Sequence, residues 1–141
     1  MVAIFKPAAC PPRLLIPVAG SRVQAGFPSP ADDYVEAALD LNELLITHKA
    51  ATFFWRVRGR SMEGAGILSE DLLVVDRAVT ASDRDIVIAA VDGEFTVKRL
   101  RRRGTQVSLE ADAPGFAPIV LKEGQEMTVW GVVVGCVRRF R

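Results

Sequence analysis

Ile86-Val87-Ile88-Ala89-Ala90-Val91-Asp92-Gly93-Glu94-Phe95-Thr96-Val97-Lys98-Arg99-Leu100 is the stretch that decides the fold. Two β-favouring runs, Ile86 to Val91 and Glu94 to Leu100, flank Asp92-Gly93, the two-residue signal for a tight antiparallel hairpin. With those two residues as the loop, Val91 opposes Glu94, and counting back sets Val87 opposite Lys98. Lys98 then shares a sheet face with Val87, Ala89 and Thr96. Little on that face solvates an ammonium, and desolvation lowers a lysine pKa until a neutral amine is available as a base. The plainer reading is that Lys98 is a surface partner of Asp85, its diagonal neighbour.

Upstream, Arg58-Gly59-Arg60-Ser61-Met62 follows a hydrophobic strand-like run and precedes Gly64-Ala65-Gly66. Ser61 therefore falls in a turn that holds its hydroxyl on a fixed backbone. A serine beside a protonated lysine is inert at neutral pH, so chemistry requires the buried amine. Otherwise Ser61 is a cap for the short turn after it.

The pattern on both sides of these residues is β. Thr52 to Val57 is a strand whose Phe53, Phe54 and Trp55 face and cover a core. Leu72 to Val75 is an apolar strand bracketed by Asp71 and Asp76, and further strands are expected at Gln106 to Glu110 and Ile119 to Leu121. Met127 to Val137 is apolar on both faces, which suits a central strand or one covered by a second copy of the chain. Arg99 and Arg101 to Arg103 flank a glycine turn without interleaved aromatics, so they read as a solvated hairpin tip rather than a nucleic-acid patch.

Residues 1–39 are different, holding Pro7, Pro11, Pro12, Pro17, Pro28 and Pro30 of the chain's eight prolines. Proline removes backbone donors and fixes an extended geometry, so this segment reads as an extended N-terminal arm. Leu14 to Pro17 and Arg22 to Gly26 are candidate short strands against the body, and Asp32 to Leu39 a weak helical turn. Asp40 with Glu43 three residues on resembles a capping box, and it predicts a short helix over Asn42 to Thr47, closed by His48 and Lys49.

Composition bounds the rest. At 141 residues, half of them apolar, the chain suits one domain with a real core, and its net charge of +1 points to neither nucleic acid nor membrane. Cys10 and Cys136 give neither a disulfide framework nor ligand spacing. No apolar run approaches the roughly 18 residues of a membrane span, and no signal-peptide core opens the chain, so a soluble cytoplasmic protein is expected. Without a metal-ligand cluster or a phosphate-cradling glycine loop, neither metal nor cofactor is expected. His48 is the single histidine, which leaves lysine as the plausible base for a serine nucleophile.

Gly59, Ser61, Met62, then Gly66, Ile67 and Asp71 to Asp76, then Asp85 to Val87 and Val91 to Lys98, resemble the Ser-Lys self-cleaving domain shared by LexA-type repressors and UmuD. Gly26-Phe27-Pro28-Ser29-Pro30-Ala31, Asp33 to Glu36, Asp40 to Asn42 and Leu44 to Ile46 resemble the UmuD branch nearly continuously. The likeness weakens before Val23 and after Glu110. No helix-turn-helix precedes the arm, so an operator-binding repressor, and direct sequence-specific DNA binding with it, is not expected.

The resemblance implies a mostly β protein: one compact β-domain of the LexA/UmuD C-terminal type over residues 40–141, with an arm over 1–39 that carries a self-cleavage site. It implies Ser61 as nucleophile and Lys98 as general base, with the backbone N–H groups of Ser61 and Met62 as oxyanion donors. The bond cut maps to Ala25-Gly26; Ala19-Gly20 and Ala65-Gly66 repeat the dipeptide but lack the following Phe-Pro-Ser-Pro. Val23 would fill an apolar pocket in recognising the arm. UmuD carries Cys-Gly at the cut, and alanine here is closer to the repressor branch. The implied partners are a second copy as homodimer, a RecA filament on single-stranded DNA that promotes the cut, and a UmuC-like Y-family polymerase assisted in translesion synthesis during the SOS response. Two other classes stay open: a Ser-Lys peptidase acting on other proteins, and a catalytically inert interaction domain.

Overall fold

The computed structural model describes residues 4–7, 12–19, 23, 25–26 and 35–141. In chain order the strands and helix are β1 (Ile4–Phe5), β2 (Ile16–Ala19), β3 (Val35–Leu39), α1 (Leu41–Leu45), β4 (Thr52–Arg56), β5 (Leu72–Asp76), β6 (Ile86–Val91), β7 (Glu94–Arg103), β8 (Gln106–Glu110), β9 (Ile119–Val120) and β10 (Met127–Val137). Short 3₁₀ turns lie at Lys49–Ala51 and Glu63–Ala65. The protein is mostly β, as its alternating and doubly apolar runs require. Two compact units divide the chain: residues 1–9 with 48–141, and residues 10–47.

The larger unit is an eight-stranded sheet in the order β1-β4-β5-β10-β6-β7-β8-β9. The β6–β7 hairpin has the expected register, with Val91 opposite Glu94 and Val87 opposite Lys98. Asp92 and Gly93 have φ of 49° and 83°, the two positive values that a type I′ turn demands and that Asp-Gly supplies cheaply. Adjacent residues of β6 feed different clusters because side chains alternate along a strand. Ile88 joins Trp55, Val57, Met62, Ile67, Leu73 and Val75, while Val87 and Ala89 join Ala81, Leu100, Leu109 and Val132.

The doubly apolar β10 is central, between β5 and β6. Its poor alternation also reflects shifts in register between Val129 and Gly131 and between Val133 and Gly135. At the first of these a Cβ on Gly131 would sit 2.7 Å from Val75 Cγ1, so glycine there lets the strands approach.

Arg102 and Arg103 are exposed at the glycine turn, as a solvated tip requires, whereas Arg99 and Arg101 are part-buried: Arg99 contacts Asp112, and Arg101 lies within ion-pair reach of Asp83 and Glu110. Those acids lie on other segments, a long-range pairing that local composition does not carry.

In the smaller unit, β2 pairs antiparallel with β3. The helical turn expected over Asp32 to Leu39 is therefore a strand from Val35; residues 32–34 lie outside the described residues. Pairing with Ile16–Ala19 outweighs the helix preference of Glu36, Ala37 and Ala38. The strand expected over Leu14 to Pro17 runs two residues later. Of Arg22 to Gly26, Val23 is irregular and Ala25 and Gly26 form a bend, with Arg22 and Gln24 outside the described residues. Helix α1 starts at Leu41 and ends before Thr47, so His48 and Lys49 do not close it. Asp40 caps it by accepting from Asn42 N at 2.9 Å. Glu43 does not complete the box, because its carboxylate pairs with Arg13 at 2.9 Å.

Candidate active site

Ser61 is positioned by what surrounds it. Gly59, at φ 111°, reverses the chain after β4. Met62, 2% exposed, anchors the turn in the core cluster of Trp55 and Leu73. The turn is also tied to the segment after β8: Asp112 N donates to the Ser61 carbonyl at 2.8 Å, and Gly64 N donates to the Asp112 carbonyl at 2.5 Å. Arg99 in turn holds the Asp112 carboxylate at 2.5–2.9 Å, which links the serine turn to β7, the strand that carries Lys98.

Lys98 Nζ lies 3.1 Å from Ser61 Oγ, 2.8 Å from Thr96 Oγ1 and 3.2 Å from the Val97 carbonyl. Among the described residues it makes no ion pair. Asp85, the alternative partner, instead accepts from Ser82 N at 2.8 Å. Burial lowers the Lys98 pKa below the ordinary lysine value, since desolvation penalises the charged form. Nζ is placed to donate to all three oxygens; with the proton lost, two N–H groups would serve Thr96 and Val97 and the lone pair would face the Ser61 hydroxyl.

The capping alternative for Ser61 is not what the turn uses. The 3₁₀ turn after it, Glu63–Ala65, has Met62 and not Ser61 at its N-cap and has no side-chain cap. Neither the Ser61 nor the Met62 backbone N–H donates to a protein acceptor among the described residues, so both remain able to receive an oxyanion. The pair opens into a cleft of about 170 Å³, lined on its apolar side by Trp55, Val57, Leu73, Ile88 and Phe95.

The structure thus brings together Ser61, Met62 and Lys98 in the larger unit. Val23, Ala25 and Gly26 belong to the smaller unit and are exposed. Thr96, which the count from the turn places on the Lys98 face without a role, hydrogen-bonds the amine there, so that face is less apolar than expected. Asp112 carries no such signal, because it lies 51 residues beyond Ser61 in the chain, after β8. A second buried network lies behind the turn: Arg138 grips Asp71 through two contacts of 2.6 Å and the Gly66 carbonyl at 2.8 Å. That guanidinium holds the Asp71 carboxyl down at about 2, and the adjacent Cys136 thiol is pushed up to about 11, first by burial and then by Asp71. No metal-binding group of His, Cys, Asp or Glu occurs among the described residues, and no helix there is long and apolar enough to cross a membrane.

Known proteins resemble this chain over most of its length. A family model described as Peptidase S24-like matches residues 17–134. The chain is similar to Protein ImpA of Shigella flexneri, 49% identical over 127 residues that cover 89% of this chain and 85% of that protein. It is 43% identical to Protein SamA of Salmonella typhimurium over 141 residues, covering 100% of this chain and 98% of the relative. LexA repressor 1 of Geobacter sulfurreducens is 40% identical over 126 residues, which cover 89% of this chain and 61% of the repressor.

Proposed function

The chain belongs to the peptidase S24-like family, in its UmuD-like group, and from that premise we propose that it is a self-cleaving switch of SOS mutagenesis. In this reading residues 40–141 form the Ser-Lys peptidase-like domain and residues 1–39 the arm that it cuts between Ala25 and Gly26. The observation that carries it is the 3.1 Å approach of the part-buried Lys98 amine, which makes no ion pair among the described residues, to the Ser61 hydroxyl.

Neutral Lys98 takes the Ser61 proton as Oγ attacks the Ala25 carbonyl, and the N–H groups of Ser61 and Met62 hold the oxyanion. The tetrahedral intermediate collapses with the Lys98 ammonium protonating the departing Gly26 amine, leaving Ala25 esterified to Ser61. Water, deprotonated by Lys98, then hydrolyses the ester, giving the Ala25 carboxylate and restoring Ser61. Small residues on both sides of the bond let the arm approach the serine closely, and Val23 fills the apolar side of the cleft.

One cut per molecule makes this a switch. A RecA filament on single-stranded DNA promotes it by favouring the arm-docked conformation, whose population otherwise limits the rate. The shortened chain, as a homodimer in the cytoplasm, assists a UmuC-like Y-family polymerase in translesion synthesis.

The test is a timed alkaline incubation of wild type, Ser61→Ala and Lys98→Ala followed by intact mass. Wild type should yield a fragment beginning at Gly26 and both variants none. Gly26→Glu should also block the cut, and since a Cβ at Gly26 meets nothing within 4 Å, it should leave the fold intact. A wild-type chain that stays whole, or one cut elsewhere, refutes the assignment.

A further inference from the structure

Strand β1 is two residues long, yet it ends the eight-stranded sheet: Ile4 pairs with Trp55 and Phe5 with Phe54 on β4. Pro7, which lacks a backbone donor, keeps it short. Lys6 adds a cation-π contact, its Nζ lying 5.9 Å from the Phe53 ring centre. Without β1, β4 would be the sheet's edge, with a row of unpaired backbone groups open to another strand.

Successive amides of a strand point to opposite edges, so one of Phe54 and Trp55 faces β1 while the other faces β5. β1 also lies on the N-terminal side of Ala25, so the proposed cut severs its covalent link to the sheet it covers. While the chain is whole, the tether holds β1 at β4 at an effective concentration of roughly millimolar. After the cut, the fragment is held by noncovalent contacts alone: the two-residue β1–β4 pairing with Lys6 over Phe53, the four-residue β2–β3 pairing, the exposed Arg13–Glu43 ion pair and the bond from Leu14 N to Asp40. Strand pairs this short are marginal in water.

We propose that β1 is a removable cover, and that its departure uncovers β4 as a docking edge for an extended, acidic-then-apolar segment of a partner protein. The inference rests on the cut at Ala25-Gly26. The occupant's chemistry follows from the cover and from the charges beside it. Ile4-Phe5 shows that an apolar pair fits antiparallel against Phe54 and Trp55. Continuing the same register sets the residue before that pair opposite Arg56 and the residue three before it opposite Arg58. Both arginines are exposed, and Arg58 makes no ion pair or side-chain hydrogen bond among the described residues. Carboxylates at those two positions would meet opposite charge across the strands. The mode is β-strand addition, in which backbone hydrogen bonds supply affinity and alternate side chains supply selectivity.

The test opens the edge without the cut. In the full chain carrying Ser61→Ala, which cannot cut, Phe5→Pro removes the backbone donor and geometry of β1; Phe5 is 50% exposed, so the core is untouched. Ile4→Pro serves as the second variant. Hydrogen exchange of the β4 amide that faces β1 should rise about tenfold or more in both, the amount set by local opening rather than global unfolding. The probe is a labelled synthetic peptide, Glu-Ala-Glu-Ile-Phe-Lys, read by fluorescence anisotropy against the charge-reversed Lys-Ala-Lys-Ile-Phe-Lys. The acidic peptide should bind the opened variants about tenfold more tightly than the Ser61→Ala parent, and Arg58→Glu should reverse the preference between peptides.

Equal binding to parent and opened variants, or unchanged exchange of that β4 amide in both, overturns the proposal. In the cleaved wild type, that amide should show the same rise in exchange, and continued protection there overturns it too. Because the proline variants never depend on cutting, a chain that stays whole at alkaline pH refutes the self-cleavage reading separately from the docking edge.

Discussion

The pH dependence of the cut follows from one amine. A lysine with the ordinary pKa of 10.5 is neutral in only about one molecule in 3,000 at pH 7. Each unit by which burial lowers that pKa raises the reactive fraction tenfold, at about 1.4 kcal/mol of fold stability per unit. Log rate should therefore climb with a slope of about one per pH unit and level off where Lys98 is half deprotonated, below pH 10.5 because desolvation lowers its pKa. The accompanying stability effect has a definite sign. The unfolded chain binds the proton more tightly than the folded one, so between the folded and unfolded pKa values stability rises with pH. Single-turnover cleavage followed by intact mass across about pH 6 to 10.5 measures the profile, and Lys98→Arg, charged throughout, should abolish the cut. A rate that is flat or falls with pH, or a plateau at or above the unburied lysine value, would refute the buried-amine mechanism.

Thr96→Val removes the hydroxyl 2.8 Å from Lys98 Nζ; losing one hydrogen bond of about 1–1.5 kcal/mol should lower the plateau rate about tenfold, checked in the same assay. Gly64→Ala would drive a Cβ into the Asp112 carbonyl oxygen, displacing the Ser61 turn; cleavage should fall at least about tenfold while far-UV circular dichroism stays native. The Asp71 carboxyl, held at about 2 by Arg138 and ordinarily at 3.8, contributes stability above about pH 4 that is lost as pH falls toward 2. The shift corresponds to about 2.5 kcal/mol, which screening at the one-third-exposed Arg138 reduces to about 1–2 kcal/mol. Urea denaturation of Arg138→Ala should show that loss at neutral pH, with the difference from wild type vanishing near pH 2.

How much was legible in the chain depended on the range of the interaction. The β6–β7 register followed from Asp92-Gly93, because a two-residue loop leaves one way to pair the flanking strands. Central placement of β10 followed from its two apolar faces. Helix α1 was visible through Asp40, whereas Glu43 was misread because Arg13, thirty residues away, competes for its carboxylate. Strand β1 was hidden, since Ile4-Phe5 is too short for any periodicity and exists only against Phe54 and Trp55. At the site, the face shared by Lys98, Val87 and Ala89 could be counted from the turn, and the residues alone offered Ser61 with Lys98 beside a surface and a capping reading, between which the family resemblance decided. The ties from Asp112 to Ser61 and from Arg138 to Asp71 join distant segments that no local pattern connects.

The Asp112 tether bears on timing during synthesis. Ser61 leaves the ribosome 51 residues before Asp112, a delay of roughly 3–10 s at ordinary elongation rates. Until then its turn lacks the two backbone bonds that tie it to Asp112. On the proposed mechanism, a nascent chain that has made its nucleophile but not Asp112 holds Ser61 on an unanchored turn, which defers the cut until the segment after β8 exists.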